Sequence, residues 1–258
     1  MPERAVAPSS PLPAFAADRL DKHDRADFAQ EFLRRNPDYR ADWAAWPVAS
    51  AGPQKGREGE AEARRWGLVR FFDPGLPVRA EPAIWLPGCA AQLVSLVTAP
   101  GDFAGAAALP PAPRVVDFLS DGDRWIVVDG AGARHRLRVI GGGDGPLAIL
   151  LAPRGEALRA AACDAARRFF AGLGGGDAAA ALRPSALQRR RLALLLRILD
   201  AWRAGASNRA IGLGIVYPWM AEMDALAWKG TSERRRVQRL VAEARTLASH
   251  GYRDLLRG

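Results

Sequence analysis

The segment that most restricts how this chain folds is Trp228–Val241, with the sequence W-K-G-T-S-E-R-R-R-V-Q-R-L-V. Gly230 interrupts regular structure, and Thr231 and Ser232 can accept hydrogen bonds from the first N–H groups of a following helix. Apolar residues then recur every three or four positions, which is the spacing of one helix face. These residues are Val237, Leu240, Val241, Ala244, Leu247 and Ala248. We therefore predict a helix that packs by one side only.

The opposite face of this predicted helix is mostly arginine. The residues that point away from the apolar stripe are Arg235, Arg239 and Ala242, with Ser232, Arg236 and Glu243 on the shoulder. Charged helix faces are commonly just solvated, but here the charge has one sign and not every Arg has a Glu partner four residues away. Guanidinium donors in front of an apolar back are typical of a DNA recognition helix.

The preceding sequence predicts the other parts of a helix-turn-helix unit. A helix begins at a Ser185 cap, or with Pro184 at its first position, and runs to about Arg203. Its apolar face consists of Leu192, Leu195, Ile198, Leu199 and Trp202. Gly205 ends this helix, and Ser207 caps a short one that runs to about residue 213.

Two features depart from the simplest helix-turn-helix. Gly212 and Gly214 each weaken the short helix by about 1 kcal/mol relative to Ala. The connector at residues 215–229 is too long for a tight turn, and we expect a further helical piece at residues 218–227.

The positive charge of the chain is concentrated in its last third. Residues 183–258 contain 15 Arg or Lys and 6 Asp or Glu, a net charge of +9. The whole chain is also +9, because residues 1–182 contain 22 residues of each sign. Such a local excess is the electrostatic footprint of a nucleic-acid-binding module.

Two longer motifs resemble known families. The run Trp228–Val241 and the ending Gly251–Arg257 (G-Y-R-D-L-L-R) resemble the DUF2285 family, the DNA-binding domain of RovC-type regulators of type VI secretion. The run Phe32–Trp43 (F-L-R-R-N-P-D-Y-R-A-D-W) is similar to the DUF6499 transcriptional-regulator-like domain. Together the matches touch most of residues 28–257. The resemblance implies a bacterial DNA-binding transcription regulator that assembles into homo-oligomers.

The N-terminal region reads as a tail followed by helices. Residues 1–24 are rich in Pro, Ala and charge, which predicts a disordered tail. Residues 25–46 predict helix, which Pro37 breaks or restarts. Tyr39, Trp43 and Trp46 share one face, and we interpret them as core or an inter-domain contact rather than a base-stacking platform.

The middle of the chain changes to a period of two. Candidate strands are Ala91–Thr98, Arg114–Leu119, Arg124–Asp129, Arg134–Ile140 and Leu147–Ala152. From Arg114 they predict an antiparallel meander of three or four strands with one buried side, and alternation places Arg136 and Arg138 on the wet face. A helix at Glu156–Ala171 provides Leu158, Ala162 and Phe169 to cover the sheet.

The predicted fold class is α+β, with a small antiparallel β-meander and covering helices plus a C-terminal all-α helix-turn-helix-like DNA-binding domain. The expected domains are a disordered tail at 1–24, a transcriptional-regulator-like domain at 25–99, the meander plus helix at 100–182 and the helical DNA-binding domain at 183–258.

The sequence contains no recognisable catalytic motif. The glycine-rich runs at 141–145 and 174–176 lack the G-K-[ST] ending of a phosphate loop, so we interpret them as turn and linker glycines. Asp121 and Asp123 suit a turn, and His135 is expected to be exposed. Cys89 and Cys163 are expected to be reduced, buried thiols. We expect no enzyme activity, cofactor or metal.

No run of apolar residues is long enough for a signal peptide or a membrane span. We therefore expect no membrane partner and a cytoplasmic, nucleoid-associated location.

Our hypothesis is a regulator whose basic helix enters the major groove of double-stranded DNA. Arg235, Arg236 and Arg239 are the leading candidates for contacts to guanine or phosphate. Further candidates are Ser232, Arg234 and Gln238 for DNA contact, and Lys229 and Arg209 for phosphate. Residues 25–182 would serve assembly, ligand sensing or RNA polymerase contact.

Two other classes of function stay open. The basic helices of a protein-interaction module would bind an acidic partner, with no preference for DNA. A DNA-processing enzyme would use the basic domain as an anchor, but the sequence offers no cluster of metal ligands for cleavage.

Overall fold

The computed structural model describes residues 20–46, 61–90, 92–104, 114–130, 133–149 and 184–257, with residues 106, 108, 109, 163, 165, 166 and 169. The fold class is α+β, as predicted. The chain divides into two compact units. The sheet unit holds the described residues of 22–184 and 250–257, and the helical unit holds residues 185–249, with which residues 20 and 21 are grouped.

These units differ from the domain boundaries expected from sequence. The strand before residue 99 belongs to the same sheet as the strands after residue 113. Residues 250–257 belong to the sheet unit and not to the helices that precede them. His23 and Asp24 of the expected tail are buried, whereas residues 1–19 lie outside the described part of the chain.

The sheet is mixed and has five strands. These are β1 (Leu93–Thr98), β2 (Arg114–Ser120), β3 (Asp123–Gly130), β4 (Ala133–Ile140) and β5 (Leu147–Ile149), in the spatial order β2-β3-β4-β1-β5. The meander β2-β3-β4 is antiparallel, as predicted. β1 lies parallel to β4, and β5 is antiparallel to β1. The expected fourth strand of the meander therefore does not pair with β4, because β1 occupies that edge.

Both faces of the sheet are buried, so the prediction of one wet face is wrong. The first face contributes Val94, Leu96, Ile126, Val128, Leu137, Val139 and Leu147, which pack with Ala165 and Phe169. The second contributes Leu93, Val116, Trp125 and Val127, which pack with Val69 and Ile84. Phe169 thus covers the sheet as predicted, whereas Leu158 and Ala162 lie outside the described residues.

Histidine and cysteine positions also differ from expectation. His135 is buried, with its ring centroid 5.5 Å from that of Phe169, because alternation places it on the first face. Burial, with Arg136 beside it, lowers the pKa of His135. Cys163 is exposed and Cys89 half-buried, and both are free.

The second face is covered through a buried ionic cluster. Asp24 caps α1 (Arg25–Leu33), and its carboxylate accepts from the Asp27 N–H at 2.7 Å. The Arg136 guanidinium, 2% exposed, donates to Asp24 and Asp27 at 2.6 Å each. Arg134 donates to Asp27 at 3.1 Å. Burial opposes ionisation of Asp27, but Arg136 and Arg134 outweigh burial and lower its pKa. Arg136 is therefore not on a wet face.

The second helix begins where Pro37 restarts the chain. Asn36 caps α2 (Pro37–Ala45) by accepting from the Asp38 and Tyr39 N–H groups. Tyr39 is fully buried, and its hydroxyl donates to the Phe72 carbonyl at 2.7 Å. The core interpretation therefore holds for Tyr39, whereas Trp43 and Trp46 are half-buried.

The helical unit begins with α3 (Ala186–Arg203). Ser185 is its cap, and Ser185 and Gln188 form a capping box. Gly205 then adopts φ +85°, and the Ala206 N–H donates to the Ala201 carbonyl at 3.0 Å, which closes the helix end. Ser207 caps α4 (Asn208–Ile211), which continues into a π-helical turn at Gly212–Val216.

The connector was expected to contain one helical piece at residues 218–227, and the structure has two shorter ones. A 3₁₀ turn at Pro218–Met220 precedes α5 (Ala225–Gly230), and α6 (Ser232–Thr246) follows. A π-helical turn at Leu247–Gly251 then leads to α7 (Tyr252–Leu255) in the sheet unit. Among the described residues, no helix is long and apolar enough to cross a membrane.

Gly212 allows α4, α5 and α6 to approach one another. A Cβ at this position would lie 2.9 Å from Trp228 Cζ2 and 3.3 Å from Val237 Cγ2, inside van der Waals contact. Trp228 and Val237 are both buried. The glycine that weakens the short helix is thus required by close packing.

Arg136→Met should lower the free energy of unfolding by about 3–5 kcal/mol, because Asp24 and Asp27 would stay buried without their counter-charge. Urea denaturation measures this change. The control Arg114→Met, which removes a surface ion pair with Asp117, should cost less than about 1 kcal/mol. Equal small costs for both variants would contradict a stabilising buried cluster.

Acid should destabilise the sheet unit partly through Glu31. Burial opposes ionisation of this carboxyl, but His23, Arg35 and Arg34 outweigh burial and lower its pKa from 4.5 to about 2. The resulting stability, on the order of 3 kcal/mol, is complete above pH 4.5 and is lost as pH falls towards 2. Glu31→Gln should flatten the pH dependence of urea unfolding in this range. An unchanged slope, equal to that of the exposed control Glu62→Gln, would refute this role.

Gly212→Ala should destabilise the helical unit by about 1–3 kcal/mol, because the new methyl group overlaps the Trp228 ring. Urea unfolding followed by far-ultraviolet circular dichroism measures the effect. Gly230→Ala is the matched control, because a Cβ there meets nothing within 4 Å. A gain in stability at position 212 would show that helix propensity outweighs packing.

Candidate nucleic-acid interface

The back of α6 forms the core of the helical unit. Its buried residues are Val237, Leu240, Val241 and Ala244, as the apolar stripe predicts, and Ala248 in the following turn is also buried. They meet the apolar face of α3, whose buried members include Leu192, Leu195, Ile198 and Leu199. This packing determines which side of α6 is exposed.

Two cation contacts at the surface add to the packing between α3 and α6. Arg191 donates to both carboxylate oxygens of Glu243, at 2.9 and 2.7 Å. The Arg245 guanidinium lies over the Trp202 ring, 4.5 Å from its centroid. Trp202 was predicted to belong to the apolar face of α3, but it is 38% exposed and forms this cation–π contact instead.

The N-terminus of α6 is capped by Thr231. Thr231 has an extended backbone, and its hydroxyl accepts from the Arg234 N–H at 3.1 Å. Ser232 is the first residue of the helix and is exposed, with its hydroxyl 3.0 Å from a Glu233 oxygen. The open N-terminal end of a helix carries partial positive charge, which favours a nearby phosphate.

The outward face of α6 carries the residues expected for DNA contact. Its exposed members are Ser232, Arg235, Arg236, Gln238 and Arg239. Within the part of the chain that the structure describes, Arg235, Arg236 and Arg239 make no ion pair or hydrogen bond through their side chains. Their guanidinium donors are therefore free for an external acceptor, and guanidinium is the group best suited to guanine or phosphate.

The other predicted site residues lie beside this face or inside the unit. Lys229 is exposed near the end of α5. Arg234 is half-buried, and its guanidinium donates to the Lys229 carbonyl at 3.1 Å. The Arg209 guanidinium donates to the Met223 carbonyl and has a buried Nε without a partner. Arg209 thus binds the connector through the Met223 carbonyl. Helix spacing alone could not predict this interaction.

The connector presents the least basic part of the helical unit. Residues 185–249 contain 12 Arg or Lys and 5 Asp or Glu. The charged residues within 217–227, by contrast, are both acidic, Glu222 and Asp224. Asp224 caps α5, and hydrogen bonds from the Ala227 and Leu226 N–H groups lower its pKa. Trp219 and Leu226 are 76% and 79% exposed on this segment. The positive charge that would attract an anionic ligand therefore lies on α6 and α3.

The described residues provide little for catalysis. No group of three or more His, Cys, Asp or Glu among them could hold a metal ion. Asp121 lies in a turn at φ 51° and pairs with Arg64, while Asp123 accepts from Arg138 and from the Gly141 N–H. Both aspartates are used to build the sheet and its turns.

Two models of known families match the chain, one in its N-terminal part and one in its C-terminal part. Residues 149–257 match the RovC family described as a T6SS transcription factor DNA-binding domain. Residues 14–71 match the family described as a proteobacterial transcriptional regulator-like domain. A search of curated proteins finds no match. Both domain types are regulatory rather than enzymatic.

The resemblance drawn from the two sequence motifs is thus confirmed, and the matched DNA-binding domain contains the exposed arginines of α6. The chain therefore matches a proteobacterial transcriptional regulator-like domain and a RovC-type DNA-binding domain, and these two matches indicate a DNA-binding transcriptional regulator.

Proposed function

We propose that α6 enters the major groove of double-stranded DNA and reads sequence there. Arg235 and Arg239 contact base edges, and Arg236 contacts a base or a flanking phosphate. The observation that carries this proposal is the set of exposed, unpaired arginines on a helix whose opposite face is buried. A major groove about 12 Å wide admits one α-helix.

The spacing of the two leading arginines suits neighbouring bases. Four residues of helix advance about 6 Å along its axis, and successive base pairs are about 3.4 Å apart. Arg235 and Arg239 can therefore reach bases about two steps apart on the same side of the helix. The planar guanidinium donates two hydrogen bonds to guanine O6 and N7, so each position favours guanine.

The remaining candidates have supporting roles in this proposal. Ser232 and Gln238 are exposed beside the arginines and can donate to bases or to the backbone. Lys229 grips a phosphate next to the N-terminus of α6. Arg234 holds the Lys229 carbonyl and adds positive charge at the same end. We assign Arg209 to the connector rather than to phosphate, because its guanidinium already donates to Met223. The protein would act in the cytoplasm, where the nucleoid is.

Arg235→Ala and Arg239→Ala should each weaken binding of the full chain to a duplex selected from a random-sequence library. If the side chain reads a base, the loss is about 1–3 kcal/mol and discrimination at one position relaxes. If it holds phosphate, binding falls for all sequences and the salt slope decreases by about 0.9. Fluorescence anisotropy over a salt series measures both quantities.

The matched control is Arg257→Ala, which removes an exposed arginine of the sheet unit that pairs with Asp254. It should bind as the parent does. Parental affinity in both α6 variants would refute the groove placement. Salt-dependent binding of the parent to an acidic polypeptide, with no binding to DNA, would instead support the protein-interaction alternative.

A further inference from the structure

We infer that Thr231 is a positioning residue for DNA binding, because its hydroxyl holds the backbone that carries Lys229 beside the arginines of α6. This inference rests on the function proposed above, in which Lys229 grips a phosphate. Thr231 would act through Lys229 and not by touching DNA. Both residues, and all those that contact them, belong to the helical unit.

The first observation is that a single residue joins α5 to α6. α5 ends at Gly230 and α6 begins at Ser232, so Thr231, with its extended backbone, forms the whole connection. The dihedral angles of such a residue set the direction of one helix relative to the next. The adjacent Gly230 restricts the backbone least of all residue types, and a Cβ there would meet nothing within 4 Å. Contacts of other side chains must therefore hold this corner.

The second observation is that the Thr231 hydroxyl bonds to both sides of the corner. It donates to the Trp228 carbonyl of α5 at 2.9 Å, and it accepts from the Arg234 N–H of α6 at 3.1 Å. The Arg234 guanidinium adds a further link, because it donates to the Lys229 carbonyl at 3.1 Å. The carbonyl groups that the end of α5 leaves open are thus bound by the cap and the first turn of α6.

The third observation is that the corner is attached to the core while Lys229 is not. Trp228 is 4% exposed, and Trp228 and Val237 of α6 both lie against Gly212. Lys229 follows Trp228 directly, yet it is exposed. The backbone of Lys229 is therefore held between the buried Trp228 and the hydrogen bonds of Thr231, whereas its side chain faces solvent.

A held corner lets Lys229 and the arginines of α6 bind DNA together at a lower cost. A lysine on a loose corner loses backbone freedom when it binds a phosphate, and this loss weakens binding. The Thr231 hydroxyl should therefore contribute to affinity only while Lys229 is present. A cap that merely stabilises α6 would contribute equally with and without Lys229, so the two roles differ in additivity.

Thr231→Val, Lys229→Ala and the double variant of the full chain test this inference. The probe is the duplex selected by the parent, and the readout is anisotropy over a salt series. Thr231→Val keeps the β-branch without the hydroxyl. It should lower affinity about five-fold and reduce the salt slope by up to about 0.9, because the phosphate contact of Lys229 is weakened. Thr231→Ser should restore both values, and the double variant should bind as Lys229→Ala does.

The matched control is Ser207→Ala, which removes another cap hydroxyl of the same unit. Ser207 caps α4 by accepting from the Ala210 N–H at 3.1 Å. This variant should lower the urea midpoint about as much as Thr231→Val does, with parental affinity and salt slope. Equal effects of the two variants on the salt slope would overturn the inference, since a general loss of stability would then explain both.

Hydrogen exchange provides a readout that does not need a Thr231 variant. Saturating duplex should slow exchange of the Arg234 amide, which donates to the Thr231 hydroxyl, more in the parent than in Lys229→Ala. The reason is that coupling between the corner and the phosphate contact acts in both directions.

Two results with a folded Thr231→Val protein would overturn the inference. One is parental affinity and salt slope, and the other is a loss that adds fully to that of Lys229→Ala. If Thr231→Val unfolds, equal protection of the Arg234 amide in the parent and in Lys229→Ala would overturn it. Absence of DNA binding by the parent would instead overturn the proposed function itself.

Discussion

The buried contact between Arg136 and the two aspartates of α1 determines how the sheet unit is built. A guanidinium on the second face of the sheet cannot be left without partners, and Asp24 and Asp27 supply them at 2.6 Å each. The same two aspartates form the capping box of α1. This cluster therefore caps the first helix and fixes it to β4. It also covers a face of the sheet that would otherwise be exposed to solvent.

Other features of the regulator-like domain depend on the placement of α1. Gln30 in α1 donates to the Glu81 carbonyl and accepts from the Ala83 N–H, both at 2.7 Å. The motif that resembles the regulator-like family supplies the Asn36 cap and the buried Tyr39. α7 packs on the same helix. The N-terminal motif is thus structural, whereas the exposed residues of the C-terminal motif are free to contact DNA.

Sequence periodicity predicted the strand positions and the exposed face of α6, because each depends on local spacing. Periodicity did not predict burial or strand order where these depend on a segment that is distant in sequence. Alternation separates the faces of β4 but does not reveal that α1 covers the arginine face. Turn chemistry predicts a meander but not the insertion of β1 beside β4. Gly212 is a weak helix position by propensity, and only the structure shows that Trp228 packs against it. Helix spacing likewise does not reveal that the Arg209 guanidinium donates to the Met223 carbonyl.

The most direct test of α6 in the major groove is methylation interference on the selected duplex. Dimethyl sulfate modifies guanine N7 in the major groove and adenine N3 in the minor groove, so it reports which groove is read. With α6 in the major groove, we expect interference at guanine N7 for the parent protein, and loss of interference at one guanine for Arg239→Ala. Interference confined to adenine N3 would contradict the placement of α6 in the major groove.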